Sequence, residues 1–376
     1  MLVVARSRQL NAIPLGLFNT SCASPRSTQL SVGGIERGTH MSMNAELRSD
    51  AINEALALEV PRLLKECHVA GVSIALISDR TIVLTVGYGL RNAVTGEPLT
   101  PQTIFEAYSL TKPLVAYRAL NLYRNGVLDL DRPLDDYLNT PYIATDHRAG
   151  LITARTVLAH TSGLPDDETE RRITFTPGAQ WSYSTQGYSV LQQVIDRITA
   201  ERFDQTMKRH ILDPLAMASS SFVWEDRFEA VMAQGHTTHG IPQDDRQIHV
   251  ADADSLLTTA SDYATFVVAC IWPEGGESID HPARLMMRPQ VSVADNLYWG
   301  LGWGIEETDD GALLWHIGGG SGAPFQNFVC VSAAHGMGMV ILTNSANGGA
   351  IFEPLVRGIT GRSFALFTFV RDYFYS

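Results

Sequence analysis

The chain has 376 residues, 45% of them hydrophobic, and a net charge of -12, with a mean hydropathy near zero. That is enough apolar material for a substantial core in one large domain or two ordinary ones, and the negative balance, with no lysine or arginine block, excludes nucleic acid as a partner. No apolar run approaches the roughly 18 residues that a membrane span requires; the richest, Phe364 to Val370, is far too short.

The first forty residues carry Arg6, Arg8, Arg26 and Arg37 against Glu36 alone and show no periodicity, so residues 1–45 read as an extension outside the fold, disordered or targeting. Ile13 to Phe18 is short and broken by Pro14 and Gly16, a poor secretory signal. This leans the expected localisation toward the cytoplasm, with a periplasmic, secreted or organelle-targeted protein as alternatives and Met41 or Met43 as a later start. From Glu46 to about Lys65 apolar residues recur at helical spacing (Ile52, Ala55, Leu56, Val60, Leu63, Leu64) and predict an amphipathic helix. Val69 to Ile77 and Thr81 to Val86 flank Ser78-Asp79-Arg80 and predict a β-hairpin.

At Ser109-Leu-Thr-Lys112-Pro113, proline is tolerated only in about the first turn of a helix, so the helix must begin close to Ser109. Arg118, Asn121 and Arg124 form one narrow polar stripe, so most of the helix is buried, and Asn125-Gly126 supplies a left-handed cap. Ser109 and Lys112 lie one turn apart on one face, within reach of each other. A serine is a weak nucleophile until a base takes its proton, and a lysine can be that base only if burial or nearby positive charge lowers its pKa. The chain has three lysines, Lys65, Lys112 and Lys208, and the Ser-x-x-Lys spacing alone is a weak signal.

The region 109–289 is mostly helical pattern joined by Pro-, Gly- and Asp-rich loops, including a helix with Tyr188, Leu191, Ile195 and Ile198 on one face and Tyr183 in the loop ahead of it. A second β-rich region follows, with runs at 301–305, 313–316, 325–331 and 339–343, and a closing helix over 351–369. Strands at both ends around a helical middle predict one sheet built from distant segments, 46–108 and 290–370, with a helical region inserted, in a single domain over 46–370. Cys22, Cys67, Cys270 and Cys330 show no disulfide or metal spacing and read as buried free thiols.

Ser109-x-x-Lys112, Tyr183-Ser-Thr185 and His316-Ile-Gly318-Gly319, in this order, resemble the serine β-lactamase and penicillin-binding-protein superfamily, in particular its class C β-lactamase-like branch. The resemblance covers about 46–360 and includes the linking segments 126–138, 156–165, 256–263, 299–304 and 340–345. It implies an α/β (α+β) β-lactamase/transpeptidase-like fold, an antiparallel sheet flanked by helices. It also implies Ser109 as the acylated nucleophile, Lys112 as its proton partner and Tyr183 as the shuttle to the leaving group and the deacylating water. The backbone N–H groups of Ser109 and Gly319 would form the oxyanion hole, each donor contributing about 3 to 4 kcal/mol to lowering the barrier, with Thr185, His316 and Gly318 lining the substrate.

Two departures bear on substrate. Thr185 stands where relatives carry an asparagine, and its hydroxyl cannot offer a bidentate amide. His316 and Ile317 replace a Lys-Thr or His-Thr pair, and a neutral imidazole grips a carboxylate less firmly than an ammonium. Both favour an ester or small amide, hydrolysed without metal or cofactor. The alternatives are a β-lactamase, a D-alanyl-D-alanine carboxypeptidase or D-aminopeptidase acting on a peptide, and a non-catalytic penicillin-binding-type sensor. His236, His239, His249, Asp252 and Asp254 could crowd a metal but lack an ordering helical frame, and a solvated loop is the simpler reading. His160 reads as structural, and Gly319-Gly-Ser-Gly-Ala323 misses the nucleophile-elbow pattern by its last residue.

Overall fold

The computed structural model describes residues 45–167, 169–243, 252, 254–273 and 281–375. Helix α1, Ala45–Glu66, buries Leu56, Val60 and Leu63 on one face, as its periodicity predicts. β1 (Gly71–Ser78) and β2 (Thr81–Asn92) pair antiparallel across the two-residue loop Asp79-Arg80. Both loop residues have positive φ, 50° and 63°, the backbone twist that a tight hairpin needs. β2 runs past the expected Val86 and pairs with β3 (Glu97–Pro98).

β4 (Phe105–Glu106) leads to α2 (Thr111–Arg124) and the helical region α3 (Ala154–Leu158), α4 (Thr185–Thr199) and α5 (Phe203–Met207). β5 (Leu257–Thr258), α6 (Ala260–Ile271) and α7 (Pro282–Met286) complete that region. The chain then builds β6 (Val291–Ala294), β7 (Leu297–Trp299), β8 (Gly304–Thr308), β9 (Gly311–Gly318), β10 (Gln326–Ser332) and β11 (Met337–Thr343). The main sheet has nine strands in the order β3-β2-β1-β11-β10-β9-β8-β7-β6, antiparallel throughout. The first hairpin therefore joins the last strand, with Ile74 opposite Ile341. Among the described residues no helix is long and apolar enough to cross a membrane.

Both faces of the central strands are covered, which explains the unbroken apolar runs. Alternate residues of β1, β10 and β11 separate accordingly. Ala75, Val329 and Val340 join the core under the helical region. Ile74, Phe328 and Ile341 join the core under α1 and the C-terminal helices.

Two expectations change. The run 301–305 is extended only from Gly304, because Gly302 (φ 95°) turns the chain close against Ala116. The single closing helix over 351–369 is two helices, α8 (Phe352–Thr360) and α9 (Leu366–Phe374), separated at the left-handed Gly361 (φ 68°). Cys67, Cys270 and Cys330 are buried free thiols, and Cys22 lies outside the described residues.

Candidate active site

Pro113 sits in the first turn of α2, and Ser109 occupies the single 3-10 turn, Tyr108–Leu110, that precedes it. Tyr108 is held at φ 48°, a left-handed conformation that costs a non-glycine residue about 1 to 2 kcal/mol. The surrounding bonds hold it there. Asn327 Nδ2 donates to Glu106 O at 2.9 Å, and Tyr263 Oη donates to Leu110 O at 2.9 Å. The Tyr108 ring also packs against Phe325, with centroids 6.3 Å apart.

The strand β4 pairs with β5 in the register Phe105–Thr258 and Glu106–Leu257. The ladder continues as the Ala107 N–H donates to Leu256 O at 2.8 Å. Beyond it, the Leu256 N–H donates to Thr111 Oγ1 at 3.1 Å. Asp254, two residues ahead of Leu256, thereby comes beside the turn that bears Ser109. There Lys112 Nζ donates to Ser109 Oγ at 2.8 Å and to Asp254 Oδ1 at 2.6 Å, and Ser109 Oγ donates to Asp254 Oδ1 at 3.0 Å. The lysine side chain is 0% exposed and the aspartate 28%, so the pair spans from the interior to the mouth of the site.

Tyr183 joins the group from the loop before α4. Its ring stands 5.3 Å from Lys112 Nζ and is stacked on His160 at 4.2 Å. The side chain is buried rather than projecting into an open cleft, and its hydroxyl has no hydrogen-bond partner. Burial holds the phenol well above its usual pKa, Asp254 adds to this, and the Ser109 hydroxyl opposes it. His160 accepts from the Ser184 N–H through Nδ1 at 3.0 Å, so its place is structural, setting the ring that supports Tyr183. The C-terminal helix closes the other side. Tyr373 Oη accepts from the Tyr183 N–H at 3.2 Å, and the Phe374 ring meets Tyr183 edge-on at 5.1 Å.

One expected substrate contact is corrected. His316 is fully buried, with Nδ1 donating to Ile317 O at 2.7 Å, Nε2 enclosed without a partner, and the ring behind Tyr183 and Trp299. Burial first, then Lys112, lowers its pKa to about 3, against the bond to Ile317 O, so it is neutral and offers no grip on a carboxylate. Gly318 lacks a side chain for an internal reason: a Cβ there would lie 2.1 Å from Ala107 O. It brings β9 against the turn that carries Ser109. Thr185 opens α4, its N–H donating to Asp166 Oδ1 at 2.8 Å, and its side chain makes no hydrogen bond to Ser109, Lys112 or Tyr183. Gly319 follows with φ 81°, a conformation suited to glycine, and a Cβ there would strike Phe325 O at 2.2 Å.

The supposed loop of metal candidates is also redistributed. His236 is buried, bonded to Asn344 O and the Ala93 N–H; His239 makes surface contacts with Thr237 and Thr238; His249 lies outside the described residues. Asp252 accepts from the Asp254 N–H at 2.9 Å and so shapes the turn that presents Asp254. Among the described residues no group of His, Cys, Asp and Glu is arranged to hold a metal. Asp254 is the site residue that sequence reasoning missed, since it was read as part of a solvated loop. Its signal was the apolar segment 256–258 just after it, a short strand with no partner visible in the sequence.

The family model for Beta-lactamase matches residues 56–364 of this chain. The chain belongs to the beta-lactamase family. It is a serine hydrolase of that family. It is similar to Penicillin-binding protein 4 of Amycolatopsis lactamdurans, 24% identical over 335 residues that cover 80% of this chain and 87% of the relative. It is also similar to Protein flp of Staphylococcus aureus, 21% identical over 306 residues that cover 75% of this chain and 61% of the relative. The chain thus spans less than two thirds of that second protein. In fold it matches an octameric penicillin-binding protein homologue from Pyrococcus abyssi, with a TM-score of 0.70 and 23% identity over 83% of this chain and 78% of that one. It also matches a Beta-Lactamase/D-Alanine Carboxypeptidase from Pseudomonas syringae, with a TM-score of 0.71 and 20% identity over 84% and 99% of the two chains.

Proposed function

We propose that this chain hydrolyses uncharged carboxylic esters or small amides through an acyl-enzyme on Ser109. The observation that carries this reading is the Asp254 carboxylate, 3.0 Å from the Ser109 hydroxyl. A carboxylate beside Ser109 disfavours a substrate carboxylate at the same place, and its pairing with Lys112 occupies the cation in contact there. The buried, neutral His316 supplies no compensating cation. β-Lactams and D-alanyl-D-alanine peptides both carry a carboxylate near the scissile bond, whereas a simple ester does not.

In the proposed cycle Ser109 Oγ adds to the carbonyl, and the developing oxyanion is received by the backbone N–H groups of Ser109 and Gly319. Such donors act by being fixed before charge develops. Tyr183 keeps its proton at neutral pH, because burial holds its pKa high. Its hydroxyl can therefore donate toward the leaving oxygen. The Amycolatopsis and Pseudomonas relatives, by name, favour a second reading, turnover of penicillins or D-alanine peptides.

The deciding experiment compares p-nitrophenyl acetate and butyrate with a chromogenic cephalosporin, using wild type and Ser109→Ala, with intact-mass detection of the acyl adduct. The expected result is ester turnover at least about 10³-fold above that of Ser109→Ala, with little cephalosporin cleavage. Preferred cleavage of the cephalosporin would establish the second reading instead.

A further inference from the structure

Lys112 donates to both Ser109 Oγ and Asp254 Oδ1, and the hydroxyl proton of Ser109 points at that same carboxylate oxygen. An ammonium group is a donor only, with no lone pair to receive a proton. Lys112 Nζ is fully enclosed and lies 2.6 Å from Asp254 Oδ1. Tyr183 carries its own proton. His316 uses Nδ1 on Ile317 O, and His160 uses Nδ1 on the Ser184 N–H. The Asp254 carboxylate, 3.0 Å from the Ser109 hydroxyl, has lone pairs open to its proton.

We propose that Asp254 takes the Ser109 proton during acylation, while Lys112 remains an ammonium that steadies the incipient serine alkoxide. The step balances within the site. The Ser109 Oγ–C bond forms, its proton moves to Asp254 Oδ1, and the carbonyl π electrons move onto the oxyanion. On collapse the carbonyl re-forms, the bond to the leaving oxygen breaks, and that oxygen takes the Tyr183 hydroxyl proton, which the proton held on Asp254 replaces. Deacylation repeats the sequence with water in place of the alcohol. Asp254 is then a catalytic residue, and Lys112 an electrostatic one.

The charged and titratable groups around Asp254 come from four segments. Lys112 approaches from α2, Tyr108 from the turn that also bears Ser109, Tyr183 and Tyr188 from the loop and start of α4, and Asp252 from its own loop. Glu106 acts on Tyr108, Asp166 on Tyr183, and His160 and His316 face Lys112 from behind. Of the nearest set Lys112 is the one cation in contact.

This inference rests on Ser109 being the nucleophile but not on which substrate it attacks, and the test keeps the two apart. The rate at which a fluorophosphonate labels Ser109 is measured against pH, alongside p-nitrophenyl butyrate turnover, for wild type, Asp254→Asn and Asp254→Glu. The wild type is expected to lose labelling only as pH falls through the carboxylate range, below about 6. Asp254→Asn should label about 10²-fold or more slowly across the range and lose that limb, and Asp254→Glu should recover the limb and part of the rate. A wild-type limb centred between neutral and alkaline pH, or an Asp254→Asn variant that labels as fast or faster, would overturn the proposal by returning the proton to Lys112. The wild-type profile decides even if Asp254→Asn does not fold. Labelling without turnover of any ester would sink the ester reading and leave the labelling profile to judge Asp254.

Discussion

Ser109 Oγ and Asp254 Oδ1 lie 3.0 Å apart, although 145 positions separate the two residues in the chain. The β4–β5 pairing brings together the two segments that carry them, Ser109 in the turn after β4 and Asp254 ahead of β5. From this arrangement and its supports, three further outcomes are expected.

Tyr183→Phe should separate chemistry from packing. The hydroxyl is buried and unpartnered, so removing it costs the fold nothing in hydrogen bonds and relieves a desolvated group. The melting temperature should stay level or rise slightly. If the phenol donates to the leaving oxygen, kcat should fall about 10²- to 10⁴-fold. An unchanged kcat would assign Tyr183 to packing alone.

Gly318→Ala should damage the site through its frame. The added methyl would lie 2.1 Å from Ala107 O, so either β9 or the turn bearing Ser109 must shift. A displacement near 1 Å at a nucleophile is enough for about a 10²-fold loss in kcat. The check is ester turnover beside a thermal melt: retention of both rate and stability would show that the contact relaxes elsewhere.

Acid should weaken the fold through the two histidines behind the site. Burial holds His316 at about 3 and His160 well below its usual value, with Lys112 pushing in the same direction. An unfolded imidazole titrates near 6.5, so between about 6.5 and about 3 the unfolded chain binds more protons than the folded one. Stability must then decline as pH falls through that window and gain nothing from these groups above it. Thermal melts between about pH 7 and about pH 4 should show the decline, and His316→Asn should reduce its slope. An identical slope in that variant would exclude His316 as a source.

Much of the architecture was legible because it repeats locally. The period of α1, the apolar runs of β1 and β11 and the Pro113 start of α2 are patterns within a few residues of one another. Ser109 and Lys112 were legible for the same reason, being one turn apart. What was not legible depends on distant partners. Asp254 is acidic, follows a polar stretch, and gains its place only when 256–258 docks beside 105–107. The burial of His316 depends on Tyr183 and Trp299 arriving over it. The break at Gly361 was hidden because apolar residues continue on both sides, and the left-handed turn appears only in the backbone.

The join between β1 and β11 also sets the order in which the molecule can be completed. As the chain leaves the ribosome, β1 can pair with β2 at once, but its other edge must wait until Met337–Thr343 has been made. During that interval an apolar strand, Val72 to Ile77, presents unpaired N–H and C=O groups, the kind of edge on which chains associate. Pairing so distant in sequence also slows folding. Yield on expression should therefore depend on temperature and chaperone supply more than the stability of the finished sheet would suggest.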